Sequence, residues 1–333
     1  MIGLRLRTVP VTHWMPSMFA RRARRLVFLL GTLGLGAGCG SEPRRSDTPL
    51  VVFAAGSLAR PLRAVLDTIE ANGGPPVVLE IMGSREMLRA VMSLGRSPDL
   101  IVTADADEME RLLIPSFVAS SMTFARNRVV LALGPRAPGA DTITAANWSG
   151  VVASGALRVG RADPGRAPLG YRTQHVWQLT EFEQQRPGLA QKLATAAPAA
   201  LVRGNEADLA ALLESGDADA AWCYESLARA MKLRYVILGD AIDLGSPADS
   251  IGYRRASVLI SGAEPGDSIP VRGSPIRYGI AVVNRGLDPV GASVLRERLL
   301  NSTSRRVMRR AGLDMLDAPI VTTAARKLNI PVP

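Results

Sequence analysis

Two Gly-Ser pairs stand where a small ligand could be held. Residues 50–55 (LVVFAA) are an apolar run ending in Gly56-Ser57, followed by a helix pattern over 58–69. Residues 76–82 (PVVLEIM) end in the same way at Gly83-Ser84, before a helix pattern over 85–94. A buried parallel strand reads as a continuous hydrophobic run, and a small-residue turn into a helix leaves backbone N–H groups free at the strand's carboxyl end. Two further turns, Ala167-Pro168-Leu169-Gly170 and Asn205-Glu206, also precede helix patterns. Hydroxyls and free amides at several helix N-termini suit a small anion, because a hydrogen bond to a charged partner contributes about 1.5–3 kcal/mol and the helix dipole adds to it. A single serine before a helix is accounted for as an N-cap. Two at successive strand ends point to a shared ligand.

An alternating chain must position these turns. Residues 98–104 (PDLIVTA) read as a third strand, and 105–113 as a helix whose leading acids suit its N-terminus. Residues 124–133 (FARNRVVLAL) read as one further strand. Beyond it, 157–160, 221–224 and 235–238 read as strands, and 170–182, 205–215 and 225–231 as helices. A stretch rich in Gly, Pro, Ser and Asp from 239 to 274 holds one strand near 254–260. Residues 275–283 (PIRYGIAVV) read as a strand that returns the chain to its starting lobe. Helices follow at 294–300 and 304–311, and the tail from 318 reads as loosely packed or extended. Such alternation argues for parallel sheets flanked by helices. The expected organisation is one α/β lobe over 49–130 and 277–333 and a second over 131–276. A ligand would lie between them, outside the strands' carboxyl ends.

Composition removes several chemistries. His13 lies in the leader and His175 within a helix pattern, so a Ser-His-Asp triad and a histidine metal site both lack parts. The formal charge of +10 includes six arginines within residues 1–39 (Arg5, Arg7, Arg21, Arg22, Arg24, Arg25); the rest carries 34 basic against 30 acidic residues. With no basic run interleaved by aromatics, nucleic acid is excluded as a partner. Residues 21–25 are basic and 26–35 apolar, an export signal too short to span a bilayer. Met18 is a natural start for such a leader. Small residues at 36–38 lead to Cys39 and a polar tether over 40–48. Either Cys39 is the lipid-bearing first residue of a lipoprotein at the periplasmic face of the membrane, or a plain signal peptide is cut near it; both imply export. With Cys39 lipidated, Cys223 is alone and no disulfide forms.

FAAGSL (53–58), IMGSREM (81–87), PDLIVTADADEM (98–109), FARNRVVLAL (124–133), GRADPGRAPLGYRT (160–173) and LLESGDADAAWCYESLA (212–228) resemble, in this order, the periplasmic molybdate/tungstate-binding proteins of ABC importers. The resemblance runs from about residue 50 to 313. It implies a type II periplasmic-binding-protein-like fold, two α/β lobes joined by hinge strands. It also implies binding without catalysis or cofactor, a permease partner and a monomer. The oxyanion would be held by the hydroxyls of Ser57, Ser84 and Tyr224 and the backbone amides of Leu169 and Glu206, with no metal coordinated directly by the protein. Gly170, Asp163 and Cys223 are secondary candidates. On the residues alone, Tyr224 is a strand residue with a buried ring, Asp163 a turn residue before Pro164, and Cys223 a small hydrophobe.

A tungstate-preferring branch shares the run Gly170-Tyr171-Arg172 but places two carboxylates where this chain has Ala167 and Cys223. Their loss implies a four-coordinate, hydrogen-bonded oxyanion or a shifted specificity, with Asp163 or Glu225 as partial substitutes and Arg166 as added charge. Sulfate would be rejected by size. Phosphate would be rejected because a donor-only site leaves its proton without an acceptor. The competing functions are binding of another oxyanion such as sulfate and, from a different class, an exported hydrolase on a similar scaffold.

Overall fold

The apolar runs condense into two sheets. The computed structural model describes residues 48–261 and 266–327. In chain order the strands are β1 (Leu50–Ala55), β2 (Val77–Met82), β3 (Leu100–Thr103), β4 (Ser120–Asn127), β5 (Val129–Leu133), β6 (Val159–Ala162), β7 (Val202–Arg203), β8 (Ala220–Tyr224), β9 (Arg234–Ile237), β10 (Ser257–Ser261), β11 (Ser268–Arg272), β12 (Ile276–Val282) and β13 (Asp314–Thr323). One sheet has the order β13-β4-β12-β3-β1-β2 and the other β7-β6-β8-β5-β9; β10 and β11 form a separate antiparallel hairpin.

In the first sheet β1 lies between β2 and β3, parallel to both. Its side chains alternate between the two faces. Val52 and Ala54 pack with Leu62, Val65 and Leu66 of the helix Ala59–Ala71, whereas Phe53 packs with Met87, Leu88 and Val91 of the helix Ser84–Ser93. Burial on both faces is why β1 is apolar without alternation. Because these two helices lie on opposite faces, the carboxyl ends of the central strands open into a crevice. The second sheet repeats the arrangement: β6 lies between β7 and β8, parallel to both, and the helices Pro168–Gln184 and Glu206–Ser215 follow β6 and β7.

Three departures from the sequence reading arise from strand pairing, two of them with distant partners. Residues 124–133 are two strands: β4 ends at Asn127 in the first sheet, and β5 starts at Val129 in the second. The polar triplet Arg126-Asn127-Arg128 stands at the change of sheet, but extended backbone continues on both sides of it, and only pairing with different partners separates the two strands. The tail is not loose, because β13 pairs antiparallel with β4. The strand expected near 254–260 starts at Ser257 and pairs with β11, whose half-exposed pattern and Pro270 disguised it; proline is tolerated on such an edge.

Candidate functional site

Ser57 lies in the 3-10 turn Gly56–Leu58 after β1, and Ser84 opens the helix after β2. Neither caps its helix: the capping positions are Ala55 and Gly83, and no side chain bonds there. Ser57 Oγ instead accepts from the Tyr278 hydroxyl at 3.0 Å, and that hydroxyl accepts from Asn127 Nδ2 at 2.9 Å. Ser84 Oγ accepts from the Ala104 amide at 3.0 Å. At the end of β8, the buried Tyr224 hydroxyl accepts from Arg172 Nη1 at 2.7 Å.

Arg172 ties these groups together. Its Nη1 also reaches the Ala104 carbonyl at 2.7 Å, and its Nη2 lies 3.2 Å from Asp105 Oδ2. Asp105 accepts in addition from the Tyr171 hydroxyl and caps the helix Ala106–Leu113. The rings of Tyr224 and Tyr278 meet edge to face at 6.0 Å. One buried network therefore joins Ser57, Ser84 and Tyr224 across the two lobes. A hydroxyl has one proton to donate, and in these three the oxygen already accepts from an internal donor. No described hydrogen bond uses their own protons.

Glu206 enters from the second lobe, one residue after Asn205, whose side chain caps the helix by accepting from the Asp208 amide at 3.1 Å. The Glu206 carboxyl is buried and its Oε1 has no partner. Burial raises its pKa to about 7, against the opposing pull of its own amide, the Arg172 charge and the Ser57 amide. The expected donor-only lining thus fails at one point. A carboxyl faces the serine.

The family model for bacterial extracellular solute-binding proteins matches residues 50–314. The chain belongs to that family. A related uncharacterized solute-binding protein of Petrotoga mobilis is 33% identical over 306 residues, covering 92% of this chain and 93% of the relative. A putative ABC transporter molybdenum-binding protein of Haloferax volcanii is 32% identical over 298 residues, covering 86% and 90%. Among solved structures, the periplasmic molybdate-binding protein of Azotobacter vinelandii superposes with a TM-score of 0.58 at 17% identity, covering 80% of this chain and 100% of the other. This solute-binding protein accordingly has the two-lobed type II fold.

Within it, Ser57, Ser84, Glu206 and Tyr224 are buried where the lobes meet. Leu169 stands in the first turn of the helix that carries Arg172, and is also buried. Asp163 serves its turn, accepting from the Gly165 amide at 2.7 Å, and Gly170 packs on that turn, where a Cβ would stand 2.3 Å from the Pro164 nitrogen. Cys223 pairs with Val130 of β5 and is buried, and burial pushes its thiol up to about 12. Glu225 is turned to Arg128 and Tyr235, and Arg166 to Glu86 at 2.8 Å. In this structure Asp163, Glu225 and Arg166 are thus each engaged by a neighbouring group. Cys39 lies outside the described residues.

The helix amides after Ser84 are not free either. Those of Arg85 and Glu86 both donate to the Arg166 carbonyl of the second lobe, at 3.0 and 3.3 Å. Sequence reasoning missed the parts played by Arg172, Asp105, Tyr278 and Asn127. The run Gly170-Tyr171-Arg172 was the one local signal, and it does not reveal that the guanidinium turns inward. Among the described residues no cluster of His, Cys, Asp and Glu could hold a metal ion, and no helix is long and apolar enough to cross a membrane.

Proposed function

We propose that this solute-binding protein captures molybdate or tungstate between its lobes and delivers it to the permease of an ABC importer. It acts as a monomer tethered outside the membrane through Cys39, without cofactor and without turning anything over. The observation that carries the reading is the state of three hydroxyls: Ser57, Ser84 and Tyr224 each accept from an internal donor, which leaves each O–H to point at a ligand. A tetrahedral dianion presents only acceptors and matches them. The amide of Leu169 supplies a further donor at a helix N-terminus, and that of Glu206, which already faces its own carboxyl, would turn from it to the anion. Arg172, held in place by Asp105, fixes the Tyr224 oxygen so that its O–H is left for the anion. The names of the Haloferax relative and the Azotobacter fold neighbour support the choice of anion.

Size excludes sulfate, because Mo–O and W–O bonds are longer than S–O bonds and donors set for the larger ion do not all reach the smaller one. The anion favours closure only because it touches both lobes. Calorimetric titration with molybdate, tungstate, sulfate and phosphate side by side tests this. The first two bind, and the others bind far more weakly. Tightest binding by sulfate would transfer the assignment to that anion, and silence with all four would reject the cleft. Cys39→Ala releases the protein from membranes if the tether is real, as fractionation would show.

A further inference from the structure

We propose that Gly56 and Gly83 permit the lobes to close and set the size of the anion cavity, because main-chain atoms of the facing lobe stand where a side chain would begin. The inference rests on the reading above, in which an anion is held between the lobes. Each glycine directly precedes one of the two serines, and each faces a turn of the second lobe. A Cβ at Gly83 would lie 2.3 Å from the Arg166 carbonyl oxygen, 2.7 Å from its carbon and 2.9 Å from the Gly204 oxygen. At Gly56 it would lie 2.8 Å from the Glu206 nitrogen, 2.9 Å from Glu206 Oε2 and 3.0 Å from Asn205 Cβ. A flexible side chain can swing aside from such an approach. A peptide unit inside a turn cannot.

Backbone conformation demands glycine at neither place. Gly83 has φ −67° and ψ 141°, extended backbone open to any residue. Gly56 begins a right-handed 3-10 turn and does not have positive φ. Alanine therefore fits each position in a separated lobe and collides only as the second lobe arrives. A methyl at Gly83 would hold the Arg166 turn back by about 1 Å to reach ordinary van der Waals separation. The Arg85 and Glu86 amides would then lose the Arg166 carbonyl, and Ser84 would draw away from the helix carrying Leu169 and Arg172. Gly56 controls in the same way the approach of Ser57 to Glu206. The serines supply hydroxyls, and the glycines before them decide how near the opposite donors come.

The test compares full-length G83A and G56A with wild type and with two controls, G150A and G252A, whose added methyl meets nothing within 4 Å. Without ligand both controls are expected to melt like wild type, and G83A and G56A to keep one cooperative transition close to it. Molybdate affinity should fall about tenfold or more in G83A and less steeply in G56A, with both controls unchanged, as a penalty on the closed state requires. In solution scattering, G83A should stay more extended than wild type with and without molybdate. If G83A melts early, G56A carries the same comparison. Wild-type affinity in both variants, or radii equal to wild type in both conditions, overturns the inference. Failure of wild type to bind either metal oxyanion would instead reject the assigned ligand, and the glycines would still be judged by the ligand-free radii.

Discussion

Arg172 donates to the Tyr224 hydroxyl at 2.7 Å, and both side chains are buried. The pair divides two tasks. On the proposed reading Tyr224 presents a proton to the anion, and Arg172 holds its oxygen from behind while pairing with Asp105. Tyr224→Phe should therefore lower anion affinity by about 1–3 kcal/mol with little loss of stability. Arg172→Met should lower stability itself by about 3 kcal/mol, because it strands a buried carboxylate. Titration calorimetry and urea unfolding separate the two outcomes.

Ser57 and Tyr278 form a second such pair, backed by Asn127 at the crossing between the sheets. Ser57→Ala and Ser84→Ala should each weaken binding by about 1–3 kcal/mol. Tyr278→Phe removes only the bond that orients Ser57 and should cost about 1 kcal/mol. An equal loss in Tyr278→Phe and Ser57→Ala would mean that the tyrosine touches the anion directly.

Glu206 makes both stability and binding depend on pH. Its pKa is raised from 4.5 to about 7 by burial, so the native state holds this proton more tightly than the unfolded chain does. The associated stability is fully present below about pH 4.5 and is lost as pH rises through about 7, a total of about 3 kcal/mol at 1.36 kcal/mol per unit. Glu206→Gln should remove that slope in urea unfolding between pH 5 and 7. An ionised carboxylate also repels a dianion, so affinity should fall as pH passes above 7 in wild type and stay level in the variant. Parallel pH profiles would show that Glu206 does not face the ligand.

Cys223 separates a packing group from a ligand. Its thiol is buried and held up to about 12, so it should resist alkylation in the folded protein. Cys223→Ser should leave anion affinity unchanged and lower stability by about 1–3 kcal/mol, the cost of an unpartnered buried hydroxyl. A marked loss of affinity would place sulfur at the anion.

The site was legible in parts. The two Gly-Ser turns could be read because each sits at a boundary between two periodicities, a local property of a few consecutive residues. That the serines are not caps could not be read, since capping and ligand-facing serines occupy the same stretch of sequence. Tyr278, which lies 221 positions from Ser57, and the Ala104 amide, 20 positions from Ser84, distinguish them. The Glu206 carboxyl went unread for a similar reason: at the start of a helix an acid reads as a partner for the dipole. Its neighbours Gly56 and Ser57 come from the other lobe.

By itself the sequence determined the alternation of strand and helix, the burial of β1 and β3, and the positions of the turns at the strands' carboxyl ends. Each of these follows from the side-chain pattern of one short segment, whatever it packs against. Tertiary structure alone decided that 124–133 divides between two sheets, that β13 closes an edge, and that Arg172 lies behind Tyr224 with Asp105 opposite. These depend on which distant segments meet. Hydrogen-bond direction, burial and desolvation are properties of a residue's surroundings, and those exist only once the two lobes have come together.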